Sequence, residues 1–249
     1  MKKIDLMSRF VFSLILILTF SLSSFSQNSG YKFEDIKVLP ATPVKDQHRS
    51  GTCWSFSAVS FYESELLRMG KGEYDLSEMF VVRNSYFDKA VKYVRVHGNL
   101  SFSQGGGYLD VNNCFKDYGI VPEEAYPGLN YGTDKHVHGE VENVLLAFVK
   151  AVVENKNKTL TTAWKPALNG ILDVYFGAYP KNFTYQNKEY TPKSFMDMLG
   201  LDPDNYVAIT SYMHHDYYKP FILEIPDNWA WDSFYNVKME ELTAIMDNS

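Results

Sequence analysis

Cys53 sits in the stretch PVKDQHRSGTCWSFS, Pro43 to Ser57, where its neighbours are of the types a nucleophilic thiol needs. It follows a Ser50-Gly51-Thr52 turn and opens a segment in which Trp54, Ala58, Phe61, Tyr62, Leu66 and Met69 recur at helical spacing. A helix start carries partial positive charge and unpaired N–H groups, and both stabilise a thiolate. Gln47 lies upstream of the turn, and its side-chain amide can donate hydrogen bonds. A thiolate that adds to a carbonyl creates an oxyanion. The Cys53 N–H and the Gln47 amide are donors that could hold it.

These residues need a scaffold to place them. Residues 27–51 read as an extended lead-in, because Pro40 and Pro43 disfavour helix. The helix beginning near Thr52 ends at Gly70 and Gly72, with Arg68 in its last turn. A second helix is expected after Leu76-Ser77-Glu78, and a short one over Tyr108 to Tyr118, closed by Gly119. Beyond His136, the residues Val137, Val141, Val144, Leu145, Phe148 and Val152 form another apolar stripe. Thr161 to Phe176 reads as a helix, Thr191-Pro192 as a capped helix start, and Val237 to Met246 as a last helix. Strands are expected over Tyr206 to Met213 and Phe221 to Ile225.

Gln47-x5-Cys53-Trp54, with Ser-Gly-Thr before the cysteine, resembles the nucleophile motif of papain-like cysteine peptidases. The chain departs from the usual pattern at Ser50, where many members carry a disulfide cysteine, and at Thr52, where Ser or Ala is usual. The missing cysteine is similar to the bleomycin hydrolase and aminopeptidase C branch. Leu76-Ser77-Glu78, Gly106-Gly107-Tyr108, Tyr118-Gly119-Ile120 and Tyr126-Pro127 follow in the family's order, and Ile225-Pro226-Asp227-Asn228-Trp229 looks like that branch's helical insert. The resemblance implies an α+β papain-like fold, mainly the helical first half plus a largely helical insert. It implies a thiol peptidase, in this branch an aminopeptidase, with Cys53 as nucleophile and Gln47 at the oxyanion. Gly106 and Gly107 would line the cleft, where absent side chains let a peptide backbone approach. No cofactor is implied; the partner is a peptide substrate, and the branch allows for a homo-oligomer.

The base is harder to place. The family puts a His and then an Asn roughly 130–150 residues beyond the cysteine, here roughly 183 to 203. That window holds no histidine; the six are His48, His97, His136, His138, His214 and His215. His214 or His215 with Asn228 is one reading, but His-His-Asp-Tyr-Tyr-Lys-Pro reads as a loop and Asn228 lacks the family's surroundings. The expectation is therefore three parts: a signal peptide over 1–26, a nucleophile-bearing part over 27–135, and an insert over 136–249 that ends before the catalytic His and Asn half; the alternative to a peptidase is an inactive remnant or a peptide-binding module that lacks the general-base His.

The remaining features bound the function. Lys2, Lys3 and Arg9 precede an apolar run from Phe10 to Phe20, and Ser24-Phe25-Ser26 places small residues for cleavage before Gln27. That is a secretory layout, with an apolar run too short to span a bilayer. The expected location is the periplasm or outside the cell. A formal charge of -6 without a basic stripe argues against nucleic acid and anionic membrane surfaces. Cys53 and Cys114 either form a disulfide or leave Cys53 free, with Cys114 a buried apolar thiol. His136-x-His138 with Glu140 and Glu142 reads as a solvated helix start, and His214-His215-Asp216 as a plain loop; no metal site is expected.

Overall fold

A computed structural model describes residues 30–35 and 37–248. The signal-peptide reading lies outside them. The chain divides into two units, Met1–Leu39 and Pro40–Ser249. The described residues of the first carry no helix or strand.

The second unit is built on helices. In chain order they are α1 (Cys53–Arg68), α2 (Glu78–Arg95), α3 (Tyr108–Asp117), α4 (Gly139–Val153), α5 (Trp164–Phe176), α6 (Pro192–Leu199) and α7 (Met239–Asn248). The strands are β1 (Phe183–Tyr185), β2 (Lys188–Tyr190), β3 (Ile209–Thr210), β4 (Pro220–Ile222) and β5 (Ser233–Asn236). β1 and β2 form an antiparallel hairpin, while β5 lies between β3, which it pairs in parallel, and β4, which it pairs antiparallel. No described helix is long and apolar enough to cross a membrane.

Helix α2 is the centre of the packing. It touches α1, α3, α4 and α5. Its start is set locally: Ser77 Oγ accepts from Phe80 N at 3.0 Å, capping an N–H that has no helical partner, and donates to Tyr126 O at 2.5 Å. From α1 the core receives Trp54, Ala58, Val59, Tyr62 and Leu66. Phe61 and Met69 lie on the exposed side instead, so the buried stripe is narrower than the spacing suggested. Phe61 is nevertheless used, edge-on to Tyr206 and Tyr108. The Tyr62 hydroxyl donates to Asn112 Oδ1 at 2.8 Å and lies 2.9 Å from the Tyr108 hydroxyl, joining α1 to α3. Arg83, buried on α2, donates to Asn169 and Asp173 of α5 and lies over the Tyr179 ring.

α4 differs in detail from its sequence pattern. Val141, Leu145 and Val149 are buried, whereas Val137 and Val144 face solvent. His138, just before its first turn, is fully buried among Tyr86, Tyr131, His136 and Phe176, which corrects the solvated reading. Neither ring nitrogen of His138 has a hydrogen-bond partner. Burial, and then the nearby His136, push its pKa down to about 4.

Charged groups hold the lead-in segment. Lys45 Nζ lies 2.8 Å from Glu63, 2.6 Å from Asp75 and 2.9 Å from Glu78. Glu63 is fully buried on α1; it accepts from Thr42 Oγ1 at 2.5 Å and from Leu76 N at 2.8 Å. Burial opposes the Lys45 ammonium, but Glu78, with hydrogen bonds to Asp75 and Glu63, outweighs it and holds the pKa above its usual value. Burial raises Glu78 to about 7 against the pull of Lys45.

Two outcomes are expected. Lys45→Met leaves Glu63 and Glu78 buried without a counter-charge, which costs roughly 3 kcal/mol, the low end for breaking a buried pair because the ammonium keeps some water contact. Urea denaturation midpoints at neutral pH read that loss. His138 is neutral in the fold, with a folded pKa below its ordinary value, so its contribution is full above pH 6.5 and lost as pH falls through about 4. His138→Phe keeps a ring in the cage and removes the titration. Between pH 6.5 and 4 the wild type should lose roughly 3 kcal/mol more than this variant, read as the difference of their urea curves.

Candidate active site

Cys53 occupies the first helical position of α1, and its side chain is exposed. Cys114 is buried and also free, so no disulfide joins the two; burial pushes its thiol well above the ordinary range. The turn before Cys53 is fixed by side chains. Ser50 Oγ donates to Gln47 O at 2.8 Å and lies 2.6 Å from Thr52 Oγ1, and Ser50 N donates to Gln47 O at 3.2 Å. Ser50, in the place of the usual disulfide cysteine, thus closes the turn by hydrogen bonds. Thr52 is fully buried, and its carbonyl accepts from Ser55 N at 2.9 Å.

Gln47 is half-buried. Its amide nitrogen donates to Ser50 O at 2.8 Å, which orients the group and leaves its second N–H to donate elsewhere. Gln47 and Cys53 are therefore two ends of one pinned turn.

Gln104, which sequence reasoning missed, brings the glycine run to this turn. Its Oε1 accepts from Gly51 N at 2.6 Å, and its backbone carbonyl accepts from Trp54 Nε1 at 2.9 Å. Its Nε2 donates to Glu142 Oε2 of α4 at 2.6 Å. One residue so ties the nucleophile turn, the run Gly105-Gly106-Gly107 and α4 together. Only its place directly before three glycines marked it in the sequence.

The glycines play different parts. A Cβ on Gly106 would lie 2.7 Å from Asp110 Oδ2 and 2.9 Å from the Trp54 ring, so its bareness serves the packing against the residue after Cys53. A Cβ on Gly105 would collide with the Asp227 carboxylate. Gly107 meets nothing within 4 Å and faces open space. Beneath the run, buried Lys89 donates to Ser103 O at 2.8 Å and Gly105 O at 2.6 Å. Burial lowers its pKa to about 8, against the pull of Asp110, Asp227 and Glu142. Asp110 accepts from Gly107 N at 2.7 Å.

The alternative base is not assembled. Asn228 spends its amide on Leu223 O and Asp232 O, both at 2.9 Å, closing the loop after β4. His214 and His215 lie in the turn before β4, ring against ring at 4.3 Å. Glu224, rather than Asp216, faces them: Asp216 pairs with Lys219. Among the described residues no histidine makes a hydrogen bond to Cys53.

With this geometry in view, comparison with known proteins is informative. The model of the papain family cysteine protease matches residues 33–233. Aminopeptidase G of Lactobacillus delbrueckii subsp. lactis is 25% identical over 248 residues, covering 83% of this chain and 57% of the relative. Aminopeptidase C of Lactococcus lactis subsp. cremoris is 25% identical over 223 residues, covering 76% and 51%. The chain spans about half the length of the curated relatives it matches. In structure it is similar to PepW from Lactobacillus rhamnosis HN001, with a TM-score of 0.66 at 17% identity, over 84% of this chain and 56% of that one. The shared architecture is the α+β papain-like fold. The chain belongs to the papain family of cysteine proteases, and the relatives it matches include aminopeptidases C and G.

Proposed function

We propose that the protein is a cysteine aminopeptidase that trims residues from peptide N-termini. The observation that carries this reading is the exposed Cys53 at the first position of α1, directly after a turn that Gln47 pins through Ser50 and that Gln104, next to the glycine run, holds through Gly51. The names of its relatives support the N-terminal preference.

In the proposed reaction the Cys53 sulfur, as thiolate, forms a bond to the carbonyl carbon of the scissile peptide. The carbonyl oxygen takes the negative charge and accepts hydrogen bonds from Cys53 N–H and the free N–H of Gln47. The C–N bond then breaks, and the amine leaves with a proton supplied by the general acid–base partner that any thiol peptidase needs. Water hydrolyses the thioester, releasing the acid and restoring the thiol. An extended substrate backbone would run along Gly107, which has open space before it.

Aminoacyl-amide substrates with a fluorogenic leaving group, assayed on the purified protein, test this. Turnover is expected with a free α-amine and should fall at least about 100-fold when that amine is acetylated, by analogy with the loss of a hydrogen-bonded recognition group. Cys53→Ala should abolish turnover. Gln47→Ala should lower kcat about 100-fold or more with little change in KM, as for loss of one oxyanion donor. Activity surviving in Cys53→Ala would rule out Cys53 as nucleophile, and equal cleavage of blocked peptides would make the enzyme an endopeptidase.

We further propose export. The support is the layout of Lys2, Lys3 and Arg9, the apolar run to Phe20 and the small residues before Gln27. N-terminal sequencing of the mature protein is expected to begin at Gln27; a mature chain that retains residues 1–26 contradicts it.

A further inference from the structure

The His214–His215 turn carries a feature unrelated to the thiol chemistry. Each of His214, His215 and Glu224 can offer one ligand atom such that all three lie within 4.8 Å of one another. His215 Nε2 is closed off from solvent and has no hydrogen-bond partner. It lies 3.5 Å from Glu224 Oε2, too far for an N–H···O bond of ordinary length. Zinc held tetrahedrally by bonds of about 2.0–2.1 Å sets its ligand atoms about 3.4 Å apart. The unfilled contact therefore has the length of a coordination edge.

The surroundings hold this arrangement in place. Asn236, fully buried at the end of β5, accepts from Tyr212 N at 2.8 Å. Its Nδ2 lies 2.9 Å from Tyr212 O, 3.1 Å from His215 O and 3.3 Å from Asp216 O. The backbone under both imidazoles is thereby pinned to β5. The His215 ring stacks on Phe221 of β4, centroids 3.9 Å apart and planes 18° from parallel, which fixes its direction. Asp216 is occupied by Lys219 at 2.9 Å, leaving Glu224 as the carboxylate of the set. His214 is exposed, with its ring set against those of His215 and Tyr212.

We propose that His214, His215 and Glu224 bind a zinc-class divalent cation. Two imidazoles and one carboxylate suit Zn²⁺ and its neighbours among the transition metals rather than Mg²⁺ or Ca²⁺, which take oxygen ligands. Three protein ligands leave one position for water or for a group from a partner. The cation would join the turn before β4 to Glu224, two residues past the end of that strand, clamping the loop that Asn236 anchors from below.

The test uses the purified, tag-free protein stripped with EDTA, titrated with Zn²⁺ against a chromophoric chelator, and with Co²⁺ followed by visible absorption. One ion per chain is expected, with Co²⁺ bands of a nitrogen- and oxygen-ligated site. His214→Ala and Glu224→Gln, both at exposed side chains, should each weaken binding at least 10-fold with an unchanged circular dichroism spectrum. Cys53→Ser and His48→Ala should leave it unchanged. No stoichiometric binding would overturn the proposal. So would binding that survives His214→Ala and Glu224→Gln, or binding lost in Cys53→Ser, which would place the ion on the thiol.

Discussion

The ammonium of Lys45, set among Glu63, Asp75 and Glu78, is the contact on which the site's geometry rests. Residues 40–51 form no helix or strand; one parallel bridge, with Arg49 N donating to His136 O and His138 N donating to Arg49 O, ties them to the residues before α4. Side chains hold the rest of the segment. Glu63 is on the same helix as Cys53 and holds both Lys45 and Thr42 of the lead-in, while Glu78 opens α2. A buried cluster of this kind adds little net stability, since desolvation offsets much of the attraction. What it supplies is register: a single arrangement in which the Gln47 turn meets the start of α1. The cluster is also rich in acid. Burial raises Glu123 to about 8, beside Glu78 at about 7. Both folded values lie above the ordinary carboxylate range, so these groups favour the fold at lower pH and their contribution declines as pH rises through 7 to 8.

The opposite wall of the site is built by polar groups reaching into backbone. Lys89 and Asp110 hold the carbonyls and the N–H of the glycine run, and Gln104 joins that run to Gly51 and Trp54. This separates two uses of glycine that look alike in sequence. Gly106 is bare because Trp54 and Asp110 occupy the space, and Gly107 is bare where the surface is open. Only the second leaves the direction of a side chain open.

Local chemistry was legible in the sequence where it acts over a few residues. Cys53 at a helix start, the helix starts at Ser77 and Thr191, and the Gly119 stop, with φ of +88°, follow from short-range rules. The β1–β2 hairpin escaped notice because its turn is Gln186-Asn187, both at positive φ, without the glycine that usually marks such a turn. β5 and the shortness of β3 depend on pairing across some 25 residues, which no local pattern encodes. Gln104 and Glu224 were missed for the same reason: each acquires its partners only when distant loops meet. His138 looked solvated because its neighbours Glu140 and Glu142 are charged, yet the rings that bury it come from α2, α5 and the loop holding Tyr131.

The account turns on Cys53 being a nucleophile addressed by a bound peptide. Its most direct test is to treat the protein with an epoxysuccinyl peptide and map the adduct by mass spectrometry. The prediction is a single adduct on Cys53, none on buried Cys114, and protection of Cys53 by a competing unmodified peptide. Labelling that ignores the competing peptide, or that fails at Cys53 while small thiol reagents still reach it, would contradict the account.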